Sequence, residues 1–149
     1  MKHSLLVVFC VLSLFPSSAS SNPGAGSDSD HPIGNKMRIK IGAKTCAATL
    51  DDNATAAAFK SLLPMTVNMV ELNGNEKYFD LPGNLPTNAS NPRRIQSGDL
   101  MIYGSNTLVL FYKTFSTSYS YTRLGRINDP AGLAAAVGSG NVAVTFELE

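Results

Sequence analysis

The residues best suited to hold a ligand cluster late in the chain, where Tyr112, Phe115, Tyr119, Tyr121, Arg123 and Arg126 are interleaved with serine and threonine. Aromatic rings beside hydroxyls and fixed cations suit contact with a peptide or another amphipathic ligand. In an extended segment Tyr119, Tyr121 and Arg123 share one face, while Ser118, Ser120, Thr122 and Leu124 take the other. Tyr78 and Phe79 face opposite ways, so only one of them can join a given surface. Tyr78, Tyr119, Tyr121 and Arg123 are therefore the candidate ligand-groove residues. The competing reading has the tyrosines filling a core or its rim and the arginines solvated.

Other chemistry is poorly supplied. Beyond the N-terminal segment the only histidine is His31, so a serine or cysteine nucleophile in the domain proper has no imidazole base. Cys46 has no Cys or His neighbour to complete a zinc site, and its strand position suits a packed thiol better than a nucleophile. Asp51 and Asp52 are explained by capping a helix. Arg93 and Arg94 end a long loop, either as anionic contacts or as exposed charges. Asn53-Ala54-Thr55 and Asn88-Ala89-Ser90 fit the glycosylation pattern. No catalytic or metal-binding residue is assigned, and no cofactor is expected.

The chain begins with Lys2 and His3, an apolar run from Leu5 to Phe15, and small residues from Pro16 to Ser21. This pattern reads as a cleavable signal peptide over 1–21, too short to span a bilayer, and implies a secreted or periplasmic protein. Cys10 lies inside the apolar run with no lipobox before it. Residues 22–35, rich in Gly, Pro, Ser and Asp, read as a flexible linker. Residues 36–149 have the size of one domain. Loss of Lys2 takes the formal charge of +1 to about zero, which argues against nucleic acid or an anionic membrane as partner. The partner expected is instead a peptide, a protein or a small molecule. Cys46 is left as the sole cysteine, so stability rests on packing.

Period-two alternation in Met37–Ile41 and again in Thr45–Leu50 predicts an opening hairpin, followed by a helix over Ala54–Leu63 that carries Phe59, Leu62 and Leu63 on one face and stops at Pro64. Asn73-Gly74 turns a second hairpin between Met65–Leu72 and Lys77–Leu81. Pro82, Pro86 and Pro92 make 81–94 a long loop. Leu100–Tyr103 and Thr107–Lys113 form a third pair, and Leu108–Tyr112 lacks polar interruption, as a strand buried on both faces does. Tyr119–Ile127 is extended. Asp129 and Pro130 start a short helix over Ala131–Val137 that Gly138 closes, and Val142, Val144 and Phe146 alternate in a last strand. Many strands with two helices exclude a doubly wound sheet. They fit a closed β-barrel with helices over its ends, or a two-sheet sandwich.

The order of elements, with LDDNATAAAFKSLLP near the start and RLGRINDPAGLAAAVGSGNVAVTFELE at the close, resembles the cyclophilin family. LNGNEKYF, GDLMIYGSN, LVLFYKTFSTSYSYTRLGRI and DPAGL are similar to the small bacterial cyclophilin-like proteins. The resemblance implies a mostly β, closed cyclophilin-like barrel with two short capping helices. The family's Phe-His-Arg segment and downstream Gln, which act on a prolyl peptide, have no counterpart between Met65 and Gly98. Two functions follow: a non-catalytic binding or accessory module, or a peptidyl-prolyl cis-trans isomerase with a non-standard site in which Arg123 weakens amide resonance. An arginine opening onto a proline-sized pocket favours the second, and a groove without one favours the first.

Expressed in a secreting host, the exported chain should begin near Ser20 or Asn22 and carry a single thiol after unfolding. Intact mass and thiol labelling check this, and Met1 retained on the exported chain would refute it.

Overall fold

The computed structural model describes residues 33–149. The signal peptide read at 1–21 lies outside them, as does the linker read at 22–35 apart from Ile33–Asn35, which form one 3-10 turn. The strands are β1 (Lys36–Ile41), β2 (Lys44–Leu50), β3 (Met65–Leu72), β4 (Glu76–Asp80), β5 (Arg94–Ile95), β6 (Asp99–Tyr103), β7 (Thr107–Phe111), β8 (Phe115–Ser116), β9 (Thr122–Ile127) and β10 (Val142–Leu148); the helices are α1 (Ala54–Lys60) and α2 (Leu133–Val137).

Eight of these strands close a barrel in the order β1-β10-β3-β4-β7-β6-β9-β2, while β5 and β8 form a separate ribbon. Closure comes from the first and last strands of the domain, which pair antiparallel from Met37↔Leu148 to Ile41↔Val144. Such closure leaves no strand edge of the barrel unpaired, and the fold is a barrel rather than a sandwich. Alternation along each strand sends Ile39, Ala48, Met69, Leu110 and Phe146 into one interior, joined there by Phe59 of α1 and Leu133 and Val137 of α2. On β9 a register shift pairs Leu100 with Gly125 but Met101 with Arg123. A Cβ at Gly125 would collide with the carbonyl of Thr49, so glycine allows β9 to pack directly on β2.

Both helices are shorter than their sequences predict. At α1 the Asn53 side chain accepts the Ala56 N–H at 2.8 Å, as expected of a cap. The helix ends at Lys60, because Pro64 disfavours helical backbone at Leu63. The last residues tighten into turns, with Leu62 N–H donating to Phe59 O at 3.0 Å and Leu63 N–H to Lys60 O at 3.1 Å. That change of geometry swings Leu62 outward, leaving it 40% exposed. At α2, Asp129 accepts the Ala131 N–H at 3.0 Å and so holds a turn rather than the helix itself. The helix starts two residues late, behind Gly132 at φ 75°, a backbone that glycine adopts without strain.

Strand β4 turns a charge into the barrel. Lys77 is fully buried, and its ammonium donates to Glu71 Oε1 at 3.1 Å, to Gly138 O at 2.8 Å and to Gly140 O, lying 5.3 Å from the Tyr112 ring centroid. Every donor it carries is thereby used, as a buried cation requires. Glu71 also accepts the Tyr112 hydroxyl. Burial works to raise the Glu71 pKa, but hydrogen bonds from Tyr112, Lys77 and the Gly74 N–H, with the Lys77 charge, outweigh it and hold the carboxyl below its ordinary value. Burial and then the bond to Glu71 push Tyr112 up to about 12.

Phe59 is fully buried and meets Phe146 edge-on, centroids 5.9 Å apart at 81°. Phe59→Ala should cost about 3–5 kcal/mol in denaturant melts, the range for emptying a large aromatic site. A loss below about 1 kcal/mol would show that this contact does not anchor α1.

Candidate functional site

Strand β7 supplies the floor of the site. Leu108, Val109, Leu110 and Phe111 are all buried; Leu108 and Leu110 belong to the barrel interior, whereas Val109 and Phe111 belong to a second cluster with Ile95, Met101 and Tyr121. That cluster lies on the outer wall. The β5–β8 ribbon contributes Ile95 and Phe115 to it, and Tyr78 packs against it as well.

Register then builds a groove beside the cluster. Tyr78 on β4 stands opposite Val109, and Val109 stands opposite Met101. One step along the same face, Asp80 is opposite Thr107 and Thr107 opposite Tyr103. Tyr121 is fixed by reciprocal backbone hydrogen bonds with Ser90, both 3.0 Å, so the long loop 81–94 holds it in place. The resulting groove has a volume of about 340 Å³ and is lined by Tyr78, Tyr103, Tyr119 and Tyr121, with Glu76, Asp80, Leu72, Asn73, Thr107 and Val109.

The rings are set at angles to one another. Tyr103 and Tyr119 are perpendicular, at 88° with centroids 6.2 Å apart, and Tyr103 and Tyr121 are inclined at 56° and 5.6 Å apart. Tyr121 in turn stands on Phe111, edge-on at 5.4 Å. Tyr103 and Tyr119 are 47% and 62% exposed, so the groove offers aromatic surface to solvent. Its acids differ in setting. Asp80 Oδ1 accepts the Thr107 hydroxyl at 2.7 Å. Glu76 is only 9% exposed, and its pKa is raised by burial and then by the charge of Glu71, with no hydrogen bond to offset them. Burial, followed by the Glu76 charge, likewise raises Tyr121.

Of the residues singled out from sequence, Tyr78, Tyr119 and Tyr121 come together here. Phe79 turns inward against the barrel core. Arg123 is not among the lining residues: its Nε lies 3.4 Å from Asp51 Oδ2, and its carbonyl accepts Asn53 Nδ2 at 2.8 Å, which ties it to the start of α1. Arg126 donates to Gln96 Oε1 at 3.0 Å, and Arg93 and Arg94 are exposed outside the groove. Cys46 is a buried free thiol whose pKa is pushed up chiefly by burial. No group of three or more His, Cys, Asp or Glu side chains suited to a metal ion occurs among the described residues.

Sequence reasoning missed Glu76, Asp80 and Tyr103. The first two share the alternation phase of Tyr78, which is a signal legible in EKYFD itself. Tyr103 has no such local signal, because it reaches the groove only through the pairing of β6 with β7.

A closed antiparallel barrel with two short helices packed against its core, among the described residues, defines a protein of cyclophilin-like architecture. The chain belongs to the Cyclophilin-like family, whose model matches residues 39–147. Its fold is similar to the solution structure of a hypothetical protein from Archaeoglobus fulgidus, with a TM-score of 0.53 and 18% identity over 76% of this chain and 94% of that one. No curated protein matches the chain significantly in sequence.

A carboxyl with a raised pKa in the fold contributes stability that is fully present below its unfolded value and is lost as pH rises through the folded one. Glu76→Gln removes that loss. The variant should therefore be more stable than the parent at pH 7, with the advantage gone near about pH 3.5, where both forms are neutral. Paired urea melts at the two pH values check this, and a variant less stable at pH 7 would overturn the assignment.

Proposed function

We propose that the protein is a non-catalytic binding or accessory module, exported to the periplasm or beyond, that uses the outer wall of a rigid barrel to hold a peptide, a small molecule or a segment of a partner protein. The observation that carries this reading is the composition of the groove: four tyrosines around about 340 Å³, with no arginine or lysine among its lining residues. A groove of this size, partly apolar and edged by a few polar groups, suits ligand binding. Prolyl isomerisation needs a donor aimed at the prolyl amide, and the arginine considered for that role is paired with Asp51 instead. Export rests on the apolar run Leu5–Phe15 and the small residues after it.

In a cis/trans exchange assay on X-Pro peptides the purified protein should leave the uncatalysed rate, tens to hundreds of seconds, unchanged. A thermal-shift panel of small molecules and short peptides should contain members that raise the melting temperature of the parent, but not of the folded double variant Tyr103→Ala/Tyr119→Ala. Accelerated exchange would move the protein to the isomerases. Equal shifts in parent and variant would place binding elsewhere.

A further inference from the structure

The groove combines aromatic faces with acid in a way that selects the charge of its ligand. Tyr103, Tyr119 and Tyr121 stand at mutual angles of 88° and 56°, so a group seated among them meets rings from more than one direction. Glu76 and Asp80 lie in the same lining, and no basic side chain does. The nearest basic candidates along the chain are committed elsewhere. Lys77, next to Glu76 in sequence, points into the barrel and spends its donors on Glu71 and two carbonyls, and Arg123 is paired with Asp51.

Glu76 is the second and independent sign. The residue is only 9% exposed and lines the groove, and its carboxylate has no hydrogen-bond or ion-pair partner among the described residues, its oxygens facing the open groove. A carboxylate in that setting has given up part of its hydration without gaining a protein partner, and a cation entering the groove would supply the opposite charge. An anion in the groove would worsen this, and a neutral apolar ligand would strip the remaining water without compensation. A bare metal ion would find too few oxygens. An ammonium carried on carbon answers both features at once, since its charge faces the carboxylates and its methyl or methylene groups lie against the ring faces.

Building on the binding-module reading, we infer that the groove lined by Tyr78, Tyr103, Tyr119, Tyr121, Glu76 and Asp80 is a site for an organic ammonium ion, either a small quaternary amine or the head of a methylated lysine side chain. The tyrosines receive the alkyl groups and the positive charge, and Glu76 and Asp80 balance that charge from the same lining.

The test is an amide NMR titration of the purified protein with choline and, separately, with 3,3-dimethyl-1-butanol, its uncharged isostere, at matched ionic strength. Choline should shift the amides of 72–80, 103–109 and 119–121 and bind about tenfold or more tightly than the isostere. Tyr119→Ala should weaken choline about threefold or more, and Glu76→Gln about fivefold or more, with both variants folded by the same spectra. Running N-acetyl-Nε-trimethyl-lysine methylamide beside choline distinguishes a peptide-borne ammonium from a free one, and tighter binding of either supports the site. Equal binding of choline and the isostere would overturn the ammonium assignment while leaving the binding module standing. Choline shifts confined to other parts of the barrel, or none at all, would also overturn it, whereas the binding module itself fails on the exchange assay and thermal panel.

Discussion

The burial of β7 on both faces is the constraint from which the rest of the molecule follows. Leu108 and Leu110 complete the barrel interior, while Val109 and Phe111 carry the outer cluster. A strand apolar on both sides cannot leave its outer face to water, so the chain must cover it. The β5–β8 ribbon and Tyr121 supply that cover over part of the wall. Next to that cover, the same wall is left open as the groove. The groove is thus a consequence of how the barrel solves its own burial problem.

Strand alternation also sorts charge. In β4 the side chains of Lys77 and Phe79 enter the barrel, while those of Glu76, Tyr78 and Asp80 line the groove on its outside. The inward cation is fully partnered: Glu71, two carbonyls and an aromatic ring surround it, and Tyr112 completes the set by donating to Glu71. The outward acid at Glu76 is not partnered. Two adjacent residues therefore have opposite electrostatic situations, Lys77 closed in a structural network and Glu76 facing the groove without a protein partner. Lys77 thus belongs to the structure of the barrel, whereas Glu76 leaves its carboxylate free at the groove.

The long loop and the ribbon brace one side of the groove. Backbone hydrogen bonds tie Ser90 to Tyr121, and Thr117 N–H donates to Arg93 O at 2.9 Å, so the segments on either side of the ribbon brace each other. Thr122, next in the chain, accepts the Asn88 N–H at 3.0 Å through its hydroxyl. Tyr121 is held at its backbone and packed on Phe111, whereas Tyr103 and Tyr119 project into solvent. One ring is thus fixed by the fold while two stay at the surface of the groove, and for the binding module proposed above such prior shaping would lower the ordering cost.

Much of this was legible in the sequence because it is local. Period-two alternation in Met37–Ile41 and Val142–Phe146, the Asn73-Gly74 turn, the unbroken apolar run at Leu108–Phe111 and the Asn53 cap each act over a few residues, and each stands where the pattern put it. The expected single strand over Tyr119–Ile127, with Tyr119, Tyr121 and Arg123 in one phase, did not form: β9 begins at Thr122, and Tyr121 before it is held only by a lone bridge to Ser90. Phase says which side of its own strand a residue occupies, and it says nothing about which strand lies alongside. Whether Tyr121 would meet Tyr103 or Arg123 would meet Asp51 depended on the closing of β1 on β10, the pairing of β6 with both β7 and β9, and the register shift at Leu100/Met101. Local pattern carried the main barrel strands, their buried faces and the family resemblance, but not the β5–β8 ribbon or the start of β9 at Thr122. Strand pairing, settled by burial and hydrogen bonding summed over the whole closed barrel, is what brings Tyr103 into the groove and takes Arg123 out of it.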